Sequence, residues 1–431
     1  MVYQSSVEEY LSADERAQQQ LERLQSTLNR AYRNVVFYRD RFNEHGVDPF
    51  ALEELSELST LPFTHRVHLS ENYPYGLFAV PLRDIVTIHT APGTSLNPTV
   101  SGYTAGDLSN WRSLVARALS AGGVTQADIL QIVLETGLAN WGRDYKNGAE
   151  AIDTSVIPFT PLSPDKQLMV LKDYRASVLI TSPSAAGALS RIIAESPISP
   201  SELALAAIIL VGEPPSDTVR RSIEEALHVR TRVHYGLSEV PGAAIGFECS
   251  EQNGLHISED HFLPEVIDPE TGETVPPGEP GELALTTLTA RAFPLVRFRT
   301  GDRVRLLTDP CPCGRTLARI QWLPGRTDSM AVIRGVKVHP RQLEELLARE
   351  LGGHPPLHRF GVVHRGLGDY LEVSLVVDDS LFSDEIKELE NRCQSLRREF
   401  TRELGIPVLV RLMEPSSFKG SPGGTEIEDL R

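Results

Sequence analysis

The chain has 431 residues, enough for two or three domains or for one large domain with a small one. Its 58 acidic residues against 42 basic ones leave a formal net charge of -16, which repels a phosphate backbone and argues against a nucleic-acid partner. The sequence has no apolar run of about 18 residues and no basic segment leading into an apolar one, so we expect a cytoplasmic protein with no membrane partner.

From Val7 to Phe42, Leu11, Leu21, Leu24, Leu28 and Tyr32 recur at helical steps among many charges, which predicts an amphipathic helix. After Leu61-Pro62 come short elements broken by Pro and Gly, with strands expected at Ile129–Leu134, Val178–Thr181 and Ala206–Val211. A helical pattern over Ser184–Glu195 lies between the last two, and such alternation argues for α/β layers, possible as a doubly wound sheet. From Phe262 the texture becomes β-rich: Glu265–Gly272 reads as a strand running into a turn, and Gly281–Thr287 as its partner. Beyond Gly325 a third texture begins, with a strand at Met330–Ile333, a helix at Pro340–Leu351 and strands near Phe360–His364 and Leu371–Val377. A helix at Ser383–Leu404 and a final strand at Val408–Leu412 complete a compact α+β module. The expected fold class is therefore α/β, with a large domain over residues 1–326 and a small one over 327–431.

Three constellations could carry chemistry. In His234-Tyr-Gly-Leu-Ser-Glu239, read as following a strand that ends at Val233, Tyr235 can stack on a flat ring, Ser238 can donate to phosphate and Glu239 can hold magnesium. Taken alone, Tyr-Gly-Leu is also an ordinary turn. In Arg297-Phe-Arg-Thr-Gly-Asp302, two arginines alternate before a Gly turn that presents Asp302, a carboxylate suited to accept two ribose hydroxyls or simply a solvated acid. The third, Gly325-Arg-Thr-Asp328 followed by Arg334–Pro340, has the charge and the glycine that suit a domain hinge.

In this order and spacing, the three constellations resemble the phenylacetate-coenzyme A ligase family of adenylate-forming enzymes. The resemblance spans nearly the whole chain, through Tyr32–Tyr38, Leu61–Thr64, Asn72–Pro81, Tyr235–Val240, Glu259–Phe262, Ile267–Gly272 and Thr286–Thr289. It implies a large adenylate-forming domain, with its α/β layers and β-rich subdomain, and a small mobile C-terminal domain. It also implies two steps, in which a carboxylate attacks the α-phosphate of ATP and coenzyme A then displaces AMP. By matched motif, Glu213 and Tyr235 would lie at the adenine, Gly236 would line both the nucleotide and the acid, Ser238 and Glu239 would lie at phosphate and Mg2+, Asp302 and Arg326 at the ribose, and Asp328 at the hinge. The acid, expected to be a small aromatic carboxylic acid, would be walled by Glu135–Trp141, Thr181–Ser184 (with Ser182) and Pro241–Ile245, where Gly242 and Ala243 leave room for a ring. Small residues serve just as often as close-packing points. A homodimer is a reasonable guess for this family.

The pattern breaks in two places. The family's Gly/Ser/Thr-rich loop grips phosphates with backbone amides and a lysine; here it reads His89–Thr99, where Gly93 and Thr94 are kept, Asn97 replaces the lysine, Leu96 replaces a glycine and Pro92 removes an amide donor. At the C-terminus, Gly423 falls at the position of the lysine that stabilises charge during adenylation, with Lys419 four residues upstream. Adenylation is expected to be slow, or Lys419 to substitute as a catalytic residue. Two alternatives follow: an adenylating enzyme that hands the acyl group to a carrier protein or an amine in specialised-metabolite biosynthesis, and a non-catalytic nucleotide-binding homologue. Retention of Tyr235, Glu239, Asp302, Arg326 and Asp328 favours an enzyme.

Cys249, His256, Cys311 and Cys313 offer the ligand set of a closed structural Zn2+ site, an expectation supported by family members with a similar Cys-x-Cys-Gly turn. The alternative is two unrelated pairs of buried side chains. Four cysteines are too few for a disulfide framework, so reduced thiols are expected, and Cys393 lies in a charged helical run.

Overall fold

The computed structural model describes residues 6–91, 98–134, 138–158, 164–240, 242–351, 355–365, 368–377, 386–414 and 426–430. The chain divides into two compact units, the larger running essentially to Thr327 and the smaller from Asp328 onward. The amphipathic N-terminal pattern resolves into a short 3-10 turn and two helices, α1 (Ala13–Asn34) and α2 (Val36–Glu44), rather than a single helix. Ser12 caps α1 by accepting from the Glu15 amide, and Glu15 reaches back to the Ser12 amide, satisfying donors that a helix start leaves open. The break falls at Val35, a buried β-branched residue in extended conformation, and the turn brings the Tyr38 hydroxyl to the Pro294 carbonyl at 3.1 Å.

The larger unit continues with α3 (Arg66–Glu71), the hairpin β1 (Thr87–Ala91) and β2 (Thr99–Tyr103), α4 (Ala105–Ala121), β3 (Ile129–Ile132), α5 (Ala139–Ala151) and β4 (Ser155–Ile157). Then come α6 (Pro164–Asp173), β5 (Val178–Thr181), α7 (Pro183–Glu195), β6 (Ala207–Val211), α8 (Asp217–Leu227) and β7 (Arg230–Tyr235). Six more strands follow: β8 (Gly246–Phe247), β9 (Leu255–Ile257), β10 (Phe262–Ile267), β11 (Pro280–Thr287), β12 (Phe298–Leu307) and β13 (Arg319–Arg326). Among the described residues, β3 to β13 form one sheet in the order β10-β11-β12-β13-β9-β8-β7-β6-β5-β3-β4.

The pairs among β3 to β7 are parallel and those from β7 through β8, β9 and β13 to β10 are antiparallel. The β-rich stretch after Phe262 is thus hydrogen-bonded into the α/β sheet through β9 and β8. Central strands such as Ile208–Val211 are buried throughout, as parallel strands covered on both faces must be.

The smaller unit contains the hairpin β14 (Ala331–Ile333) and β15 (Val336–Val338), helices α9 (Pro340–Leu351) and α10 (Ile386–Leu404), and strands β16 (His358–Arg365), β17 (Gly368–Val376), β18 (Val408–Met413) and β19 (Ile427–Asp429). The four strands pair in the order β18-β17-β16-β19. Its core packs Leu343, Leu346 and Leu347 of α9 and Phe400 of α10 with Phe360, Leu371, Val373 and Leu375 of the sheet. Val408–Met413 is not the last strand: β19 adds in parallel to β16, in a short segment too polar to signal itself.

A buried ionic cluster ties the N-terminus to the sheet. Arg117 of α4 makes a bidentate pair with Asp260 at 2.8 and 2.9 Å and lies 3.8 Å from Glu9, whose carboxylate is also paired with Arg315. Burial opposes ionisation of Asp260, but Arg117 and His261 hold its carboxyl far below the usual range. Its contribution is therefore present at neutral pH and is lost only as pH falls below about 4. Arg117→Met is expected to cost about 3–5 kcal/mol in chemical unfolding, because it strands buried carboxylates.

Candidate active site

The parallel strands present their carboxyl ends together, the position at which open α/β sheets bind ligands. After β5, Ser182 is the N-cap of α7 and accepts from the Ala185 amide at 3.2 Å. After β6, Gly212 takes a positive φ of 91° and Glu213 accepts from the Ser184 amide at 3.1 Å and its hydroxyl at 2.8 Å. This carboxylate therefore links the end of β6 to the start of α7.

β7 extends through His234 and Tyr235 instead of ending at Val233. The Tyr235 ring is fully buried, and its hydroxyl donates to Asp302 Oδ2 at 2.7 Å. Burial, and then the Asp302 charge, push the Tyr235 phenol well above its ordinary value, so it stays a donor. The edge of Trp322 meets this ring at 4.9 Å between centroids and 82° between planes. The ring face expected to be open for stacking is thus packed inside the fold. His234 is also buried, with Tyr145 against Nδ1 at 3.0 Å, and burial lowers its pKa to about 3.

Asp302 sits within β12, immediately after Gly301 at a φ of 75° and at a shift of register against β13, and it is only 5% exposed. The solvated turn expected at this point is a buried irregularity in a strand, which bends the chain so that Asp302 points at Tyr235 and Arg326. Arg326 pairs with the other Asp302 oxygen and donates to the Thr300 carbonyl at 2.6 Å. Arg297 and Arg299, upstream, are structural: they pair with Glu265 at 2.9 Å and with Glu282.

Thr300 joins this group to the second one. Its carbonyl also accepts from Arg66 Nη2 at 3.2 Å, and Arg66 forms a buried ion pair with Glu239, which is fully enclosed. The Arg66 guanidinium lies 5.6 Å from the Phe298 ring centroid, and Ser238 donates to Glu239 at 3.4 Å. Tyr235, Asp302, Arg326, Thr300, Arg66 and Glu239 thus form one connected network. Arg66, Thr300 and Trp322 are not among the expected site residues. The available signal was the segment Leu61–Thr64, since Thr64 bridges to Phe298 and sets α3 beside β12.

Gly236 and Gly242 do not leave open space. A Cβ on Gly236 would stand 1.8 Å from the Gly242 carbonyl oxygen, and one on Gly242 would stand 2.3 Å from Trp141 Nε1. The Leu237 amide donates to the Gly242 carbonyl at 3.1 Å, and Ala243 and Ser182 are both buried. The two glycines serve as close-packing points, so neither leaves the open space expected for a ring. At the start of the smaller unit, Asp328 accepts from the Met330 amide at 3.3 Å. Gly93, Thr94, Pro241 and Lys419 lie outside the described residues.

Away from this network, the ligand atoms of Cys249, His256, Cys311 and Cys313 all lie within 4.8 Å of one another. Cys249 Sγ is 3.7 Å from Cys311 Sγ, and Cys313 Sγ is 3.4 Å from His256 Nε2. A tetrahedral zinc ion with ordinary Zn–S and Zn–N bonds sets its ligand atoms about 3.3–3.8 Å apart, so these residues fit the metal.

Fold and site together define an adenylate-forming class of enzyme. Residues 153–288 match the family model described as AMP-binding enzyme, and residues 335–429 match the AMP-binding enzyme C-terminal domain. The chain belongs to the phenylacetate-coenzyme A ligase family. It is 38% identical to the phenylacetate-coenzyme A ligase of Thermus thermophilus, with 100% of each chain covered. The Escherichia coli K12 enzyme of that name is 35% identical, over 98% of this chain and 97% of its own. Among solved structures, a 2-hydroxyisobutyryl-CoA ligase matches with a TM-score of 0.88 and 25% identity, covering 98% of this chain and 91% of that one. The amide bond synthetase McbA from Marinactinospora thermotolerans shares the fold, at a TM-score of 0.59 and 17% identity over 80% of this chain and 68% of that one.

Proposed function

We propose that the protein is an AMP-forming acid-CoA ligase: it activates a carboxylic acid with ATP, releases pyrophosphate and passes the acyl group from AMP to coenzyme A. Full-length similarity to phenylacetate-coenzyme A ligases supports this reading, and the observation that carries it to these residues is the connected network from Tyr235 to Glu239. The acid is an aromatic carboxylic acid. Asp302 spends two of its roughly four acceptor positions on Tyr235 and Arg326, and the remaining two accept the ribose hydroxyls. Arg66 and Arg326 pair with the two carboxylates and fix their positions, so little reorganisation is needed as charge develops. Glu239 would hold Mg2+, which supplies charge neutralisation at the phosphates. Cys249, His256, Cys311 and Cys313 would hold a structural zinc ion that ties the β8–β9 turn to the β12–β13 connection.

The test is acid-dependent ATP consumption by the full chain against a panel of aryl acids, with AMP and pyrophosphate followed separately, with and without coenzyme A. One acid should drive pyrophosphate release, and coenzyme A should then speed AMP release. AMP release that ignores coenzyme A but responds to a carrier protein or an amine would change the acceptor. Asn97 in place of the expected lysine favours a second reading, a nucleotide-binding homologue without adenylation; nucleotide binding with no pyrophosphate from any acid would establish it.

A further inference from the structure

The turn that carries Cys311 and Cys313 is fastened by the far end of the chain. Gly314, at a φ of 80°, donates to the Cys311 carbonyl at 3.0 Å and closes the turn. Just after it, the Thr316 amide donates to the Glu9 carbonyl at 3.0 Å, and the Thr316 hydroxyl donates to the Leu11 carbonyl at 2.7 Å. Arg16 of α1 completes the tie by donating to the Thr316 carbonyl at 2.8 Å and to its hydroxyl at 2.9 Å. Arg315 serves both sides: it pairs with the fully buried Glu9 carboxylate, and its amide and side chain donate to Cys313 Sγ. The Tyr10 ring centroid lies 6.0 Å from its guanidinium carbon.

Resting on the zinc reading, we propose that residues 7–11 form a clasp on the zinc turn, and that Arg315 is the positioning residue through which this clasp retains the metal. Cys249, His256 and Cys311 are buried and Cys313 is only half-buried, so the way out for the metal runs past Cys313, on the turn that the clasp holds. Three thiolates on a divalent ion leave a net negative charge, and a buried charge must be paired and hydrogen-bonded to be held. Arg315, only 11% exposed, supplies both at Cys313. Glu9 keeps the guanidinium in place and itself lies 3.8 Å from Arg117, so the charges alternate from the thiolate through Arg315 and Glu9 to Arg117. An outer partner of this kind orients the ligand and sets metal affinity by about 10- to 100-fold. The coupling is reciprocal: whatever factor the docked segment adds to zinc affinity, zinc adds to the docking of the segment.

The experiment follows zinc release from the full chain into a chromogenic chelator, and amide hydrogen exchange of the zinc-loaded and zinc-stripped chain. Arg315→Met should release zinc about 10- to 100-fold faster, and Arg315→Lys, which keeps the charge, should recover part of the difference. Thr316→Val, which loosens the clasp without changing any charge, should also speed release. Stripping zinc from the unaltered chain should raise exchange over residues 7–11 by a comparable factor of about 10 to 100, while β6 and the smaller unit stay protected. Unchanged exchange over residues 7–11 after stripping, or a loss of protection spread evenly over the larger unit, overturns the proposal; so does a normal release rate in Arg315→Met. If the unaltered chain neither carries nor takes up zinc, the zinc reading itself fails and the clasp with it.

Discussion

Glu239→Gln lowers acid-dependent pyrophosphate release by at least about 10²–10³-fold while leaving the fold intact, the loss expected when one preorganised charge at a reacting phosphate is removed. The separation of chemistry from folding comes from Arg66. Glu239 is fully enclosed and ion-paired with Arg66, which also donates to the Thr300 carbonyl. A glutamine keeps the shape and offers a carbonyl oxygen to the guanidinium, so the loss of stability should be smaller than in Glu239→Ala. Glu239→Ala instead strands a buried cation, and an additional loss of about 3–5 kcal/mol in stability is expected. The measurements are pyrophosphate release at saturating acid and thermal unfolding of both variants. Near-normal release by Glu239→Gln would make Glu239 a structural counter-ion alone and would remove the magnesium role.

Removing zinc lowers the Tm by up to about 8 °C. An ion bound only by the native state at 1,000 times its Kd stabilises by about 4 kcal/mol, and for a large unit each kcal/mol moves the Tm by about 2 °C or less. The ligand atoms of Cys249, His256, Cys311 and Cys313 come from separate segments, so the ion closes long loops as well as neutralising thiolates. Elemental analysis should find about one zinc per chain, and a strong chelator or Cys311→Ser should produce the same loss of Tm. Cys393→Ser is the control, since Cys393 lies on α10 outside the cluster. A protein that carries no zinc and whose Tm is indifferent to chelator would return the four residues to the reading of two unrelated pairs.

Much of this protein is legible along the chain. Periodicity located α7, α9 and most of the expected strands within a residue or two, because their apolar residues repeat at the period of the element they form. The motif order singled out Tyr235, Glu239, Asp302 and Arg326, which the structure joins in one network, and the Cys and His types singled out four side chains whose ligand atoms lie within 4.8 Å of one another. What periodicity could not register is where a phase changes for a distant reason. Val35 breaks the N-terminal helix so that Tyr38 can reach Pro294, a contact across 256 positions.

The chemical identities were thus determined by the sequence: which carboxylates, which thiols, and the lysine replaced by Asn97. Their states were decided only by the tertiary structure. Asp302 is a buried partner of Tyr235 and not a solvated acid, because a register shift in β12 turns it inward. Gly236 and Gly242 are filled rather than open, because Trp141 and a carbonyl occupy the space a side chain would need. Arg66 carries no local motif at all; it matters through Glu239, far away in sequence, and only packing brings those two charges together.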